Sequence, residues 1–411
     1  MKNRISLPHE VEEQLEEHLR SKKPLFGKDS PWSGLLQTMV NSILEGELSH
    51  HLSEERKQKE IGDSKNKRNG HIHKEILSDN GPLLISTPRD RNGTFEPEIV
   101  QKRQRQLTSG LDNQIMALYA QGNSVEDVRR LLLEMYNVEL SAGKISQITD
   151  SILPEIASWR TRPLKSFYAI VYMDAIHFKV RSDGKYKTQA FYTVYAIDWE
   201  GNRDLLGMYV NESEAASRWG MVLNDLKERG VEDILYICID NLTGFSDVIQ
   251  DVFPQTIIQK CIVHQIRNSL KFVLDKDKKK VAKALRKIYT ASTLYSAEEA
   301  LKVFDNEWGT TYGYITKQWR NNWDELTPYF NHTENIRRMI YTTNPVEALH
   351  RIIRKLVKSK AAWVSQEALT KQIYLSLMQN KKSWKKRTNN WKSIQLELLE
   401  QYSNRITPHL V

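Results

Sequence analysis

Cysteine is nearly missing from this chain: Cys238 and Cys261 are the two it has in 411 residues. Two cannot build a disulfide framework, so the fold must hold by packing, and a reducing cytoplasm is the expected setting. Long apolar runs are missing too. No stretch of 18 or more apolar residues occurs, which excludes a spanning helix, and the opening residues MKNRISLPHEVEEQLEEHL lack the apolar core of a signal peptide. Acids are scarce in one place. Between 344 and 392 only Glu347 and Glu367 face twelve Lys and Arg, a net +10 beside +9 for the whole chain. The basic surface is therefore local. It predicts a polyanion partner, and nucleic acid rather than a membrane, because no basic amphipathic segment has the character of an anchor. Trp384 and Trp391 fall inside the basic stretch and are expected to offer flat surface to sugar or base.

What is present is enough apolar sequence, 40% of residues, for two or three domains. Leu36, Val40, Ile43, Leu44, Leu48 and Leu52 repeat at helical spacing and predict a helix over 30–56, capped by Ser30 with Pro31 in its first turn. HIHKEILS and LLIS flank Asp79-Asn80-Gly81-Pro82 and predict a short hairpin. His50, His51, His71 and His73 match no metal-ligand spacing. Residues 111–160 predict three short helices. Ser124 and Asp127 form a capping box for the second, and Ser141 caps a third bearing Ile145, Ile148 and Ile152. Tight turns between such helices suggest a helix-turn-helix, with Lys144 and Gln147 among the polar groups at the start of its recognition helix.

From 167 the period becomes two. FYAIVYMDAIHFKV, QAFYTVYAID and DLLGMYV predict three meandering strands. A helix over 213–229, the strand ILYICID, the helix FSDVIQDVF and the strand TIIQKCIV follow. The order βββαβαβ is that of a ribonuclease H-like core, with the fourth strand returning beside the first. The fold class expected is an α/β core of this kind with a helical insertion, plus a mainly α N-terminal DNA-binding region. The domains expected are 1–110, a helical and hairpin region; 111–165, helix-turn-helix-like; 166–266, the first part of the core; 267–335, the helical insertion; and 336–411, the catalytic Glu helix with the basic C-terminal region.

Three acids stand where packing alone does not want them. Alternation puts Asp174 on one face with Ile170, Tyr172 and Ile176, where an unpaired carboxylate costs several kcal/mol. A metal ion answers that charge; an ion pair with Lys179 or Arg181 is the plainer answer. Asp240 ends the strand ILYICID, where α/β sheets gather functional groups, although turns also favour Asp. Glu347 begins the helix NPVEALHRIIRK, either completing a cap or heading a stripe of Arg351, Arg354 and Lys358, with Lys355 a further DNA-binding candidate. Carboxylates suit Mg²⁺, with Mn²⁺ as substitute, and two such ions roughly 3.5–4 Å apart serve phosphoryl transfer without a covalent protein nucleophile. The cations would steady a DNA backbone.

MDAIHFKVR, the segment ICIDNLTGF, CIVHQIRNSLKFV, WRNNWDEL and YTTNPVEALHR together resemble the Mutator-like transposases of bacterial insertion sequences, over nearly the whole chain. The resemblance implies a DDE triad at Asp174, Asp240 and Glu347, a helical insertion between the second and third acids, and a Cys-x-x-His signature at Cys261 and His264. Those two alone cannot complete a zinc site and are expected to support the core. The usual third motif, Thr-Thr-Asn-Ala-Ile-Glu-Ser-Leu-Asn-Arg, is altered here at Pro345, Val346, Ala348 and His350, and Asn241 stands where Gly commonly follows the second acid. The function implied is metal-dependent cleavage and transfer of double-stranded DNA at the element's inverted repeats. A homo-oligomer on DNA, associated with the bacterial nucleoid, would carry it out. A transposase-derived protein that binds without cutting, or another two-metal nuclease, is the alternative.

Overall fold

The computed structural model describes residues 31–58, 66–78, 81–102, 104, 110–136, 138–212, 215–341 and 344–410, with Glu13, Glu16 and Arg20. The chain forms two compact units, Met1–Ser151 and Ile152–Val411.

In the first unit, α1 (Pro31–Gln58) packs on a hairpin of β1 (Arg68–Ser78) and β2 (Gly81–Asp90). The period expected of the helix is realised except at Ile43, which is exposed: Val40 and Leu44 are buried with Ile76, Leu83 and Ile85, and Leu48 and Leu52 with Phe95. The hairpin is longer than its apolar residues suggest, because β1 begins in the polar stretch at Arg68 and β2 runs through Pro88 to Asp90. Asp90 ties the following turn. It accepts from Asn66 Nδ2 at 2.8 Å, Thr94 Oγ1 at 2.8 Å and the Thr94 and Phe95 amides. Burial opposes its charge, yet these donors outweigh burial and hold the carboxyl below its ordinary range. The Ser30 cap and the Asp79-Asn80 turn lie outside the described residues.

Among the described residues, three further helices follow: α2 (Gly110–Ala120), α3 (Val125–Tyr136) and α4 (Ala142–Asp150). The capping box forms as expected, with the Asp127 amide donating to Ser124 Oγ at 3.1 Å and the Ser124 amide to Asp127 Oδ2 at 3.0 Å. Ser141 caps α4 by accepting from the Lys144 amide. Ile145 and Ile148 are buried, but α4 ends at Asp150. Ile152 therefore falls outside it and precedes α5 (Leu153–Thr161), which folds with the second unit.

The second unit is a mixed α/β structure around five strands: β3 (Phe167–Ser182), β4 (Lys185–Asp198), β5 (Arg203–Asn211), β6 (Asp233–Ile239) and β7 (Ile257–Lys260). Their spatial order is β5-β4-β3-β6-β7. The first three pair antiparallel, while β6 lies parallel to β3, with Tyr172 opposite Cys238, and β7 parallel to β6. The parallel returns need crossovers, which α6 (Ala216–Glu228) and α7 (Phe245–Val252) supply. These two helices cover one face, where Trp219 stacks on Phe245 and meets Tyr192 edge-on over Val171 and Met173. The opposite face carries Ile170, Tyr172 and Ile176. It is covered by α8 (Ile262–Leu270), α9 (Asp275–Tyr289), α10 (Leu294–Asn321), α11 (Trp323–Leu326), α12 (Glu334–Ile340), α13 (Asn344–Ser359), α14 (Gln366–Gln379), α15 (Lys381–Trp384) and α16 (Trp391–Ile406). The inserted helices thus share the sheet's core through Val281, Leu285 and Phe304. Among the described residues, no helix is long and apolar enough to cross a membrane.

Two expectations fail here for packing reasons. The run TIIQKCIV is not one strand: β7 stops at Lys260 and Cys261 caps α8, so His264 comes within the first turn of a helix. Trp384 and Trp391 are 3% and 2% exposed and offer no surface to DNA. Trp384 Nε1 donates to the Leu377 carbonyl at 2.8 Å, and Trp391 Nε1 to the Trp199 carbonyl at 2.6 Å. Trp391 packs against Gly201, whose φ of +82° suits glycine, and an added Cβ would lie 2.3 Å from the indole. Gly201→Ala should therefore destabilise the fold by about 3 kcal/mol, from the left-handed backbone and the overpacking together. Urea unfolding measures this, and a loss below about 0.5 kcal/mol would mean that the indole moves aside freely.

Candidate active site

Asp174 lies in β3 opposite Thr193 of β4, on the face covered by α13. Its side chain is 12% exposed. Oδ1 accepts from the Ala175 amide at 2.8 Å, and Oδ2 stands 3.3 Å from His350 Nδ1. That nitrogen has no aligned hydrogen bond. The other ring nitrogen, Nε2, lies 2.8 Å from Thr193 Oγ1, which itself donates to the Asp174 carbonyl at 3.1 Å. A closed loop results: strand residue, neighbouring strand residue, helix imidazole, strand carboxylate. Burial works most strongly against the Asp174 charge, but His350, His264 and the Ala175 amide together outweigh it and bring the carboxyl below its ordinary value.

Asp240 follows the last residue of β6, the strand beside β3, and accepts from the Leu242 amide at 3.1 Å. Its carboxyl is pushed up, chiefly by burial and further by the Asp174 charge, while the Leu242 amide, His264 and His177 pull the other way. Two neighbouring carboxylates are thus shifted in opposite directions, Asp174 down and Asp240 up. A cation between them would relieve both the burial and the mutual repulsion.

The turn after β7 supplies the third element. The Cys261 amide donates to the Ile239 carbonyl at 2.8 Å, which seats the start of α8 directly against the end of β6. His264 is raised, first by its hydrogen bond with Cys261 and then by Asp174 and Asp240, against burial. Its Nδ1 is buried without a partner. Next to Asp240, Asn241 Nδ2 donates to the buried Gln265 Oε1.

Glu347 is half-buried in the first turn of α13, three residues before His350. Val346, Leu349, Ile353 and Leu356 bury the other side of this helix in the core. Glu347 therefore begins one helical turn from the residue that meets Asp174. It does not close on the aspartates: among the described residues, no group of three or more His, Cys, Asp or Glu side chains could hold a metal ion. The donors fit a divalent cation in type, through paired carboxylates and the unpartnered His264 Nδ1, with the third carboxylate a turn away.

Arg351, Arg354 and Lys355 are exposed on α13. The side chains of Asn344, Pro345 and Lys358 lie outside the described residues. On α4, Lys144 and Gln147 are exposed side by side, Nζ to Oε1 3.3 Å. Reading the sequence missed His350, Thr193 and His177 as parts of the site. The signal for His350 was present, since a spacing of three from Glu347 puts both on one helical face.

The family described as "Transposase, Mutator family" matches residues 8–387. The chain is 38% identical over 385 residues, 93% of its length and 95% of the relative's, to the "Probable transposase for insertion sequence element ISRM3-like" of Sinorhizobium fredii. The same identity and coverage hold for the "Transposase for insertion sequence element ISRM3" of Rhizobium meliloti. Among solved structures, the "Drosophila P element transposase strand transfer complex" aligns with 72% of this chain and 85% of that chain at 8% identity, with a TM-score of 0.29, too weak a likeness to argue from. On the extent of the match and the identity of these relatives, the chain belongs to the Mutator family of transposases.

Proposed function

We propose that the chain is a DDE transposase that cuts DNA at the ends of its insertion sequence and joins the freed ends to target DNA. The observation that carries this is the placement of Asp174 on β3 and Asp240 at the end of the adjacent β6, near enough that the Asp174 charge adds to burial in pushing the Asp240 carboxyl up. Glu347 completes the triad when α13 brings it onto the same cleft. The order β5-β4-β3-β6-β7 supports a ribonuclease H-like core.

Mg²⁺ or Mn²⁺ bound by these carboxylates would activate the attacking oxygen and steady the leaving one. The chain's own residues prepare the site. His350 orients Asp174 through the loop with Thr193, and the seat of α8 against β6 places His264 beside both aspartates. Water attacks the phosphorus at the element end, and the 3′-hydroxyl so released attacks the target strand. Each step exchanges one oxygen–phosphorus bond for another. Both ends must be held at once, so the working form is a homo-oligomer on double-stranded DNA, in the cytoplasm and associated with the nucleoid. Lys144 and Gln147 on α4 are the proposed readers of base edges, since backbone contacts carry little sequence information.

Arg351 and Arg354 provide the test of backbone contact near the triad. Replacing both with Ala should reduce the salt slope of duplex binding by nearly two units, at about 0.9 per lost phosphate contact. An unchanged slope would assign them no phosphate. The reading as a whole is tested by incubating the full chain with Mg²⁺ and DNA bearing the element ends. Nicked ends and joined products are expected; binding without either would leave a DNA-binding protein derived from a transposase.

A further inference from the structure

The triad and the basic stripe of α13 leave one strongly charged surface unexplained. Helix α9 buries Val281, Leu285 and Ile288. Lys276, Lys279, Lys280, Lys283, Arg286 and Lys287 occupy the opposite side, and all six are exposed. None makes an ion pair among the described residues. Both acids of the helix are engaged elsewhere, Asp275 with Lys278 at 2.7 Å and Asp277 with the Tyr312 hydroxyl at 2.8 Å. Like charges three and four residues apart repel, and this stripe contains Lys276–Lys280, Lys279–Lys283 and Lys283–Lys287. The solvated-face reading accounts for exposure but not for uniform sign: α10, covering the same face of the sheet, pairs Lys302 with Glu299 and Arg320 with Asp305.

Directly before α9, Phe272 is 70% exposed in the turn after α8. Lys271 Nζ lies 5.3 Å from its ring centre, and Tyr314, 38% exposed, meets it edge-on at 6.3 Å. An exposed ring beside cations suits a base or sugar better than it suits water.

We propose that the outer face of α9, with Phe272 at its start, is a DNA-binding surface distinct from the stripe on α13. Its fifteen residues run about 22 Å. A duplex presents one phosphate per roughly 1.7 Å of axis, a linear charge density that six unpaired cations over this length complement. The surface tracks the duplex backbone without reading sequence, and Phe272 packs on unpaired bases where the duplex frays. This deepens the reading of the chain as a DNA-cutting enzyme and rests on it for the identity of the polyanion.

The test uses the full chain with EDTA present, so that no cutting intervenes. Affinity for a duplex of unrelated sequence is measured by fluorescence anisotropy against salt. The variant carrying Lys279→Ala, Lys280→Ala, Lys283→Ala and Lys287→Ala should lose three to four units of salt slope, at about 0.9 per contact. The same four positions changed to Arg should restore it, and Lys302→Ala on α10 should leave it unchanged. Phe272→Ala should lower affinity for a duplex with frayed ends several-fold while sparing blunt duplex. An unchanged slope in the quadruple Ala variant, with circular dichroism showing it folded, overturns the α9 surface. Equal effects of Phe272→Ala on frayed and blunt DNA overturn the role of the ring. Failure here with normal Mg²⁺-dependent cutting sinks this inference alone. A lowered slope in a chain that never cuts element ends would instead leave the inference standing and sink the catalytic reading.

Discussion

Asp240→Asn should lower strand cleavage at least about a thousandfold while leaving the protein as stable as before or slightly more so. The first half follows from the proposed role, since losing a metal-holding carboxylate removes several kcal/mol of transition-state stabilisation, at about 1.4 per tenfold. The second half follows from the site. Asp240 is pushed up by burial and by the neighbouring Asp174 charge, so its ionised form strains the fold. A neutral amide of the same shape relieves both effects and can keep the bond from the Leu242 amide. Asp174→Asn should be equally inactive yet less stable, because Asp174 is held charged by His350. Glu347→Gln should be inactive with little change in stability, the side chain being half-buried at the start of its helix. The contrast separates function from packing: cleavage rates and urea midpoints of the three variants measure it. Near-normal cutting by any of them with Mg²⁺ would remove that residue from the triad.

The second large effect is expected at His350. His350→Ala takes away the buried imidazole that links Thr193 to Asp174. It leaves the Asp174 carboxylate out of solvent and without its side-chain partner, a loss of about 1–3 kcal/mol for removing one partner of a buried polar group. The same change unpins α13 from β3, so Glu347 loses its registration and cleavage should fall at least about a hundredfold, in the range seen when residues orienting metal ligands are removed. His350→Asn retains an N–H near the place of Nδ1 and should recover part of both losses. A His350→Ala protein with an unchanged urea midpoint and unchanged cleavage rate would reduce the ring to filler.

Sequence alone went far where periodicity and chemistry agree. Alternation along β3 placed Asp174 with Ile170, Tyr172 and Ile176, and the structure has all four on the face covered by α13. The capping box at Ser124 and Asp127 was legible because both partners lie in one short segment. The strand order followed from the meander and the two crossover helices.

What stayed hidden depends on contacts far apart in the chain. Trp384 and Trp391 sit among lysines, and nothing local reveals that carbonyls of Leu377 and Trp199 await their indole N–H groups. Lys371 counted toward the basic stretch but is buried, 3.7 Å from Glu367. The end of β7 was hidden because TIIQKCIV is apolar on both sides of Lys260, and an apolar run suits a strand or a buried helix start alike. His350 read as a departure from a motif, and its meaning emerged only when β4 supplied Thr193, 157 residues away in sequence.

The central claim is that Asp174, Asp240 and Glu347 form one metal-dependent centre that both cuts and joins DNA. Its most direct test incubates the full chain with a linear duplex carrying the element's own inverted repeat next to flanking DNA, a supercoiled target plasmid and Mg²⁺, and separates the products by size. The account predicts 3′-nicked element ends and plasmid joined to them, both absent with EDTA and absent in Asp240→Asn. Nicking and joining that persist at full rate in Asp240→Asn would contradict it, as would a chain that binds the ends tightly and leaves them uncut in Mg²⁺ and in Mn²⁺.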